Sequence, residues 1–359
     1  MRAALVRETG RGAAEVLDGF GTRALAAGDV RVRIRASGVC HSDLSAMNGV
    51  LLNKRPFVLG HEGSGDVVEV GADVASVAVG DRVTVCWVPP CGQCAFCLRG
   101  EGNLCTEIFV PTAQRANFTL DGAEVYGMCG TGTLAEEVVL PWQCAVPVPA
   151  DVPYDVAALI GCGVTTGVGA VFNTAGVLPG STVAVIGCGG VGIAAIQGAR
   201  IAGAAEILAI DPSEAKRELV GRFGATRAVA PDGAKAAMKE LTGRRGFDYV
   251  FECVGRSALV RQAYDLTRRG GSVVVVGAGA RDDAVQFTMN ELFFDSKRIL
   301  PSLYGGGDVR LEYDRLIRLW RSGRLDLESM VTARLPLERV NEALDLLRSG
   351  EAVRTVIEL

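Results

Sequence analysis

Cys91, Cys94, Cys97 and Cys105 fall in one short stretch as Cys-x2-Cys-x2-Cys-x7-Cys. Four thiolates this close along a chain can reach one centre without long-range folding. Tetrahedral coordination by four cysteines is a common way to hold zinc, and such a site is closed to substrate. The run therefore prescribes a structural lobe over about residues 86–106 and sends the search for chemistry elsewhere. Two rival readings weaken on spacing and context. A bacterial iron–sulfur run continues x3-Cys-Pro, whereas here the gap is seven residues and Thr106 follows. Disulfides need export, and the opening Met1-Arg2-Ala3-Ala4-Leu5-Val6-Arg7-Glu8 meets charge before an apolar signal core can build. A cytoplasmic chain with reduced thiols is expected, in which clustered cysteines read as metal ligands.

With 359 residues the chain exceeds the size at which one core usually stops growing, so two domains are expected. A formal net charge of −4 argues against a nucleic-acid binder, which would show a basic face. No apolar run is expected to approach the roughly 20 residues that span a bilayer. Only two histidines occur, His41 and His61, so any imidazole chemistry rests on them.

The first 150 or so residues read as strand-rich. Val30 to Arg35 alternate with period two, as a half-buried strand should, and runs at Asp66–Val70 and Arg82–Val85 follow between glycine turns. Pro147 and Pro149 read as a connector. The texture then changes to short apolar runs bounded by turns: Thr182–Ile186, Glu206–Ile210, Phe247–Phe251 and Gly271–Val276, with helical stretches between. That alternation marks a doubly wound α/β domain with a parallel sheet. The final run, Thr355 to Leu359, reads as rejoining the first domain.

Gly187-Cys188-Gly189-Gly190-Val191-Gly192 is a G-x-G-x-x-G between a strand and a helix, the context that makes the motif specific. Gly187 allows the tight turn, Gly189 admits a pyrophosphate, and Gly192 lets the helix pack on the strand. The helix N-terminus supplies N–H donors to the anion. Asp211 stands at the end of the next strand, where a carboxylate can accept the ribose hydroxyls of NAD and repel the 2′-phosphate of NADP. No arginine follows it immediately, so NAD is expected. Asp211 is also expected to cap a helix starting at Pro212.

Three separate segments place soft or imidazole ligands beside glycines: Gly38-Val39-Cys40-His41-Ser42-Asp43, Gly60-His61-Glu62-Gly63 and Gly161-Cys162-Gly163-Val164-Thr165-Thr166. Cys40, His61 and Cys162 would make a site of two cysteines and one histidine with a fourth position open, a pattern of catalytic zinc. Spacing alone does not join them, and each cysteine also reads as a small buried hydrophobe.

With these motifs, and with Leu346-Leu347-Arg348-Ser349-Gly350-Glu351 and Arg354-Thr355 near the end, the chain resembles the zinc-dependent medium-chain alcohol dehydrogenases, alcohol/formaldehyde dehydrogenase branch, nearly end to end. The resemblance implies a GroES-like, mostly β catalytic domain (residues 1–158 and 304–359) around an inserted Rossmann domain (residues 159–303). It implies two zinc ions: a catalytic one on Cys40, His61 and Cys162, with Glu62 beside them as an occasional ligand, and a structural one on Cys91, Cys94, Cys97 and Cys105. Asp43 would orient His61. Ser42 would pass the substrate proton outward. His41 and Arg354 would contact the pyrophosphate, Thr166 and Val191 the nicotinamide, and Lys216 the adenosine ribose. Where some family members complete the proton relay with a histidine, this chain has Ser45.

The implied activity is hydride transfer between a small alcohol or aldehyde and NAD. Trp87 fills a position that usually lines the substrate pocket with an aromatic; it would favour primary alcohols, unless it is only core packing. A thiol-adduct formaldehyde dehydrogenase, a polyol enzyme, a zinc-free quinone reductase-like relative and a non-enzymatic zinc module are the alternatives. A homodimer or homotetramer is expected, with the valine-rich strand at Val273–Val276 as a sheet edge or a buried central strand.

Overall fold

The computed structural model describes residues 1–359. The backbone divides into two compact units: Met1–Gly163, Asp308–Ser322 and Leu327–Leu359 form the first, and Val164–Gly307 with Gly323–Asp326 the second.

Strand Asp29–Val39 is the spine of the first unit. Val30, Val32 and Ile34 are buried, while Arg31, Arg33 and Arg35 turn to the other face and pair with Glu69, Glu137 and Asp66. The period-two pattern thus sets which face enters the core. Glu62–Val70 pairs antiparallel along one side of the spine. Along the other lie Glu137–Pro141 and, further on, the C-terminal strand Arg354–Glu358. A second sheet runs Glu15–Leu17, Ala3–Val6, Phe57–Val58, Ala123–Gly127, Phe118–Leu120, Gly21–Thr22. Leu5 and Phe118 from it join Val32, Ile34 and Val83 in one apolar cluster. Pro147 is not in a connector. It ends Ala145–Pro147, an edge strand paired with Arg82–Val85, where a missing N–H breaks no ladder.

The second unit is a six-stranded parallel sheet in the order Arg227–Val229, Glu206–Ile210, Thr182–Ile186, Phe247–Glu252, Thr267–Val275, Arg298–Pro301. Its central strands are largely apolar because both faces are buried; Val183, Ala184 and Val185 are fully enclosed. The order of strands reverses beside Thr182–Ile186, where ligands of open α/β sheets bind outside the carboxyl ends. Val273–Val275 lies in an inner strand, bonded on both sides. The sheet edge is Arg298–Pro301 instead.

One helical stretch, Tyr154–Ala175, is long and apolar enough to span a bilayer by length and composition, contrary to the expectation that no such run exists. Its apolarity answers to enclosure within the protein, since 83% of the apolar window is buried. The stretch is not uniform. α-Helical Tyr154–Leu159 widens to a π-turn at Ile160–Val164 before α-helical geometry resumes at Thr165–Gly169.

Asp29 opens the spine strand with a buried carboxylate that accepts from Ala26 N at 2.9 Å, from Arg115 Nη2 at 3.1 Å and from Arg23. Burial works against its charge, but the Arg23 and Ala26 bonds and the two guanidinium charges outweigh that and hold its pKa below the usual carboxylate value. The carboxylate therefore adds stability above its unfolded pKa of about 4 and loses it as pH falls through the lower folded value. Asp29→Asn is expected to cost about 2 kcal/mol at neutral pH, the scale of hydrogen bonds to a buried charge. In urea melts the gap to wild type should close on acidification below about pH 4; a gap that stays constant contradicts this assignment.

Candidate active site

Cys40 directly follows the spine strand and stands at the N-cap of helix His41–Met47. Asp43, in the first turn of that helix, is fully buried. Its Oδ2 accepts from Cys40 N at 2.8 Å and its Oδ1 from Gly60 N at 3.1 Å, and Oδ1 also faces His61 Nδ1 at 3.6 Å. One carboxylate thus ties the Cys40 segment to the His61 segment. Gly60 has a φ of +92°, and a Cβ there would strike Leu134 N, so the turn that delivers His61 requires glycine.

Cys162 sits in the π-turn Ile160–Val164. π-Turns inside α-helices frequently mark functional sites, and this one puts the thiol with Cys40, His61 and Glu62. The ligand atoms of these four residues all lie within 4.8 Å of one another, and all four residues are buried. Neither nitrogen of His61 has a hydrogen-bond partner within the protein, nor does Glu62 Oε2. Leaving such groups unsatisfied costs about 1–3 kcal/mol each, which a metal ion at the centre of the cluster would offset.

Electrostatics agree. A bond shared between the thiols holds the Cys40 pKa well below its ordinary value and pushes Cys162 well above. Burial opposes charge on His61, but Asp43 and Cys40 outweigh it and raise that imidazole's pKa. Burial raises Glu62 to about 7, against the pull of Arg354. Arg354, which the resemblance assigns to the pyrophosphate, is buried: Nη2 meets Glu62 Oε1 at 3.1 Å and Nη1 donates to Val39 O at 3.4 Å. Two glycines make room for this pair. A Cβ on Gly38 would run into the Glu62 carboxylate, and one on Gly163 into the Arg354 guanidinium.

The indole of Trp87 meets the His61 ring edge-on at 6.1 Å, and the Phe109 ring lies edge-on to it at 5.9 Å. Ser42 Oγ lies 3.8 Å from Cys40 Sγ. His41 is exposed on the first turn of its helix. Sequence reasoning gave no role to Gly38, Gly163 or Phe109. The two glycines stood beside ligand cysteines, a visible signal; nothing local marked Phe109.

The four-cysteine lobe forms a separate group, also with ligand atoms within 4.8 Å of each other. Gln93 N and Cys94 N donate to Cys91 Sγ at 3.4 and 3.3 Å, and Cys91 N to Cys105 Sγ at 3.3 Å. The bonds from Gln93 and Cys94 bring Cys91 down to about 7, near thiolate form at neutral pH, whereas burial pushes Cys97 up to about 12. Amide N–H groups aimed at sulfur suit thiolates gathered on a cation.

In the second unit, Gly187 has a φ of +90° and Gly189 caps helix Gly190–Ile201. A Cβ on Gly192 would run into Gly187 O, while one on Gly189 would meet only open space. That cradle fits a pyrophosphate. Asp211 follows Glu206–Ile210 and is buried; Oδ2 accepts from Cys188 N at 2.7 Å and Oδ1 from Ser213 N at 2.9 Å. It does not cap the next helix. Glu214–Phe223 starts two residues beyond Pro212, and Ser213 caps it by accepting from Lys216 N at 3.4 Å. Lys216 is buried in that helix, Val191 half-buried in the glycine-rich one, and Thr166 buried in Thr165–Gly169.

Comparison with known proteins adds the family context. Residues 26–150 match the family described as alcohol dehydrogenase GroES-like domain, and residues 190–322 that described as zinc-binding dehydrogenase. Class-3 alcohol dehydrogenase of Cereibacter sphaeroides is 37% identical over 350 residues, covering 92% of this chain and 93% of the relative. S-(hydroxymethyl)glutathione dehydrogenase of Paracoccus denitrificans is 34% identical over 351 residues, covering 92% of each. Among solved structures, benzyl alcohol dehydrogenase of Acinetobacter calcoaceticus superposes with a TM-score of 0.92 at 29% identity, covering 100% of this chain and 99% of that one. An NADP-bound putative zinc-binding dehydrogenase of Sinorhizobium meliloti gives 0.80 at 27%, with 100% and 99% covered.

Metal analysis of the purified chain is expected to give two zinc ions, one for each ligand group. His61→Ala should remove about one of them and leave the fold intact. Cys97→Ser should remove the other and lower the melting temperature, because a closed zinc site contributes folding energy. Unchanged zinc content in both variants would contradict the two-site assignment.

Proposed function

This chain belongs to the zinc-dependent medium-chain alcohol dehydrogenases, which use NAD, and we propose that it interconverts primary alcohols and aldehydes with Cys40, His61 and Cys162 as ligands of the catalytic zinc. The observation that carries this reading is a buried imidazole with neither nitrogen bonded to protein, surrounded by two thiols and a carboxylate. When bound, zinc would supply a Lewis acid that makes an alcohol O–H more acidic, and NAD would supply a hydride acceptor.

The chain's own residues handle the proton, the charge and the fit. Ser42 would take the alcohol proton at Oγ as it gives up its own proton outward; Ser45, one turn on, offers no imidazole to continue the relay, so the proton would leave to water. Asp43 is a positioning residue that fixes the orientation of His61. Arg354 balances the Glu62 carboxylate inside the protein. Trp87, in edge contact with His61 and with Phe109, puts a large indole beside the candidate ligands, which supports a narrow pocket that favours primary alcohols. Gly187, Gly189, Gly190 and Gly192 would receive the pyrophosphate, Asp211 and Lys216 the adenosine ribose, and Thr166 and Val191 the nicotinamide. A second reading, oxidation of a formaldehyde–thiol adduct, is favoured by relatives that carry the name S-(hydroxymethyl)glutathione dehydrogenase. Self-association through the edge strand Arg298–Pro301 is supported by exposed Phe293, Phe294, Ile299 and Leu303 beside it. Thiols kept reduced for two metal centres support a cytoplasmic setting.

Ser42→Ala is expected to lower kcat about 100-fold or more, the scale of one positioned proton-transfer group, with zinc content unchanged. Near-normal turnover would remove Ser42 from the reaction. An NAD-coupled panel of primary and secondary alcohols, run with and without glutathione plus formaldehyde, separates the two readings. Higher kcat/KM on primary alcohols without thiol supports the first. Activity confined to the thiol adduct supports the second.

A further inference from the structure

We propose that Arg217 is a specificity-determining residue of the adenosine site: a cation held at the ribose 2′-position, whose pairing with a 2′-phosphate Asp211 opposes without abolishing it. The inference rests on the reading of Asp211 as the ribose carboxylate.

Arg217 lies in the first turns of Glu214–Phe223. Its side chain folds back over the loop that precedes the helix. Nη1 donates to Asp211 O at 2.9 Å and to Pro212 O at 2.7 Å. These bonds fix the guanidinium at the backbone of the same residue whose carboxylate faces the ribose. Both bonds use one nitrogen, whereas a guanidinium carries five N–H donors in a planar fork that matches phosphate oxygens. Arg217 is half-buried, so its charge is neither fully solvated nor enclosed.

Asp211 cannot swing aside to admit a second anion. Each of its oxygens is held by a backbone N–H, from Cys188 and from Ser213. A 2′-phosphate would meet that fixed negative charge at close range, where like charges repel most strongly. Without the carboxylate, the nearby charges are the guanidinium of Arg217 and the ammonium of buried Lys216. An arginine near the ribose is how dinucleotide folds accept NADP. The sequence conceals this arginine, because it stands six positions after Asp211 and only the helix turn brings the two together.

The test is equilibrium binding of 2′,5′-ADP and 5′-AMP to the zinc-loaded full chain by calorimetry, a measurement that does not depend on turnover. Asp211→Ala should tighten 2′,5′-ADP about tenfold or more, and Asp211→Ala/Arg217→Leu should lose that gain, as expected for one charge-assisted hydrogen bond. Affinity for 5′-AMP should be the same in the single and double variants. Arg217→Lys in the Asp211→Ala background should recover part of the gain. Equal 2′,5′-ADP affinity in the single and double variants overturns the proposal. Arg217→Leu alone keeps the bonds of Asp211 and guards against a misfolded Asp211→Ala: it should weaken residual 2′,5′-ADP binding and spare 5′-AMP, and no change there also overturns the proposal. If Asp211→Ala folds but leaves the 2′,5′-ADP to 5′-AMP ratio unchanged while Arg217→Leu lowers it, the ribose reading of Asp211 fails and the role of Arg217 stands.

Discussion

The Asp43 carboxylate is the tie on which the proposed active site depends. Buried and acceptor-only, it bonds the backbone of Cys40 and of Gly60 and faces His61. A strand end, a helix start and a glycine turn are thereby brought to one point. Its negative charge favours a donor at His61 Nδ1, which leaves Nε2 as the electron-pair donor directed at the thiols. Placing so many polar groups out of water is unfavourable unless each has a partner. Among the groups still lacking one, His61 and Glu62 Oε2 belong to the ligand cluster. The deficit itself calls for a cation.

A second buried requirement surrounds the first. Glu62 and Arg354 form an ion pair inside the first unit, and a buried pair is costly to break because either charge alone would be stranded. Gly38 and Gly163 exist as glycines to admit its two ends. The C-terminal strand carries Arg354 to this place by pairing with the spine strand that leads into Cys40. Closure of the sheet by the last residues and neutralisation of Glu62 are therefore one structural event.

Much of this was legible from the residues. The alternation at Val30–Arg35 lies within a longer strand, and the runs Thr182–Ile186 and Glu206–Ile210 are strands residue for residue, since burial on one face or two leaves opposite patterns. The four-cysteine lobe was local and so was readable. The proposed catalytic cluster was not: Cys40, His61 and Cys162 are brought together by strand pairing and a π-turn that no short window encodes, and only family likeness joined them. The misreadings have similar causes. Pro147 looks like punctuation but lies on a sheet edge. Val273–Val275 reads alike in an inner strand and an edge strand. Asp211 has the chemistry of a cap, but the helix starts later and the carboxylate is taken by two other amides.

The central claim is that residues 40, 61 and 162 converge on one zinc ion. Anomalous diffraction at the zinc edge from crystals of the purified chain tests it most directly. The account requires two anomalous peaks, one within the four-cysteine lobe and one about 2.0–2.3 Å from Cys40 Sγ, His61 Nε2 and Cys162 Sγ. A single peak in the lobe, with the imidazole of His61 bonded to water or to a protein carbonyl, would contradict it.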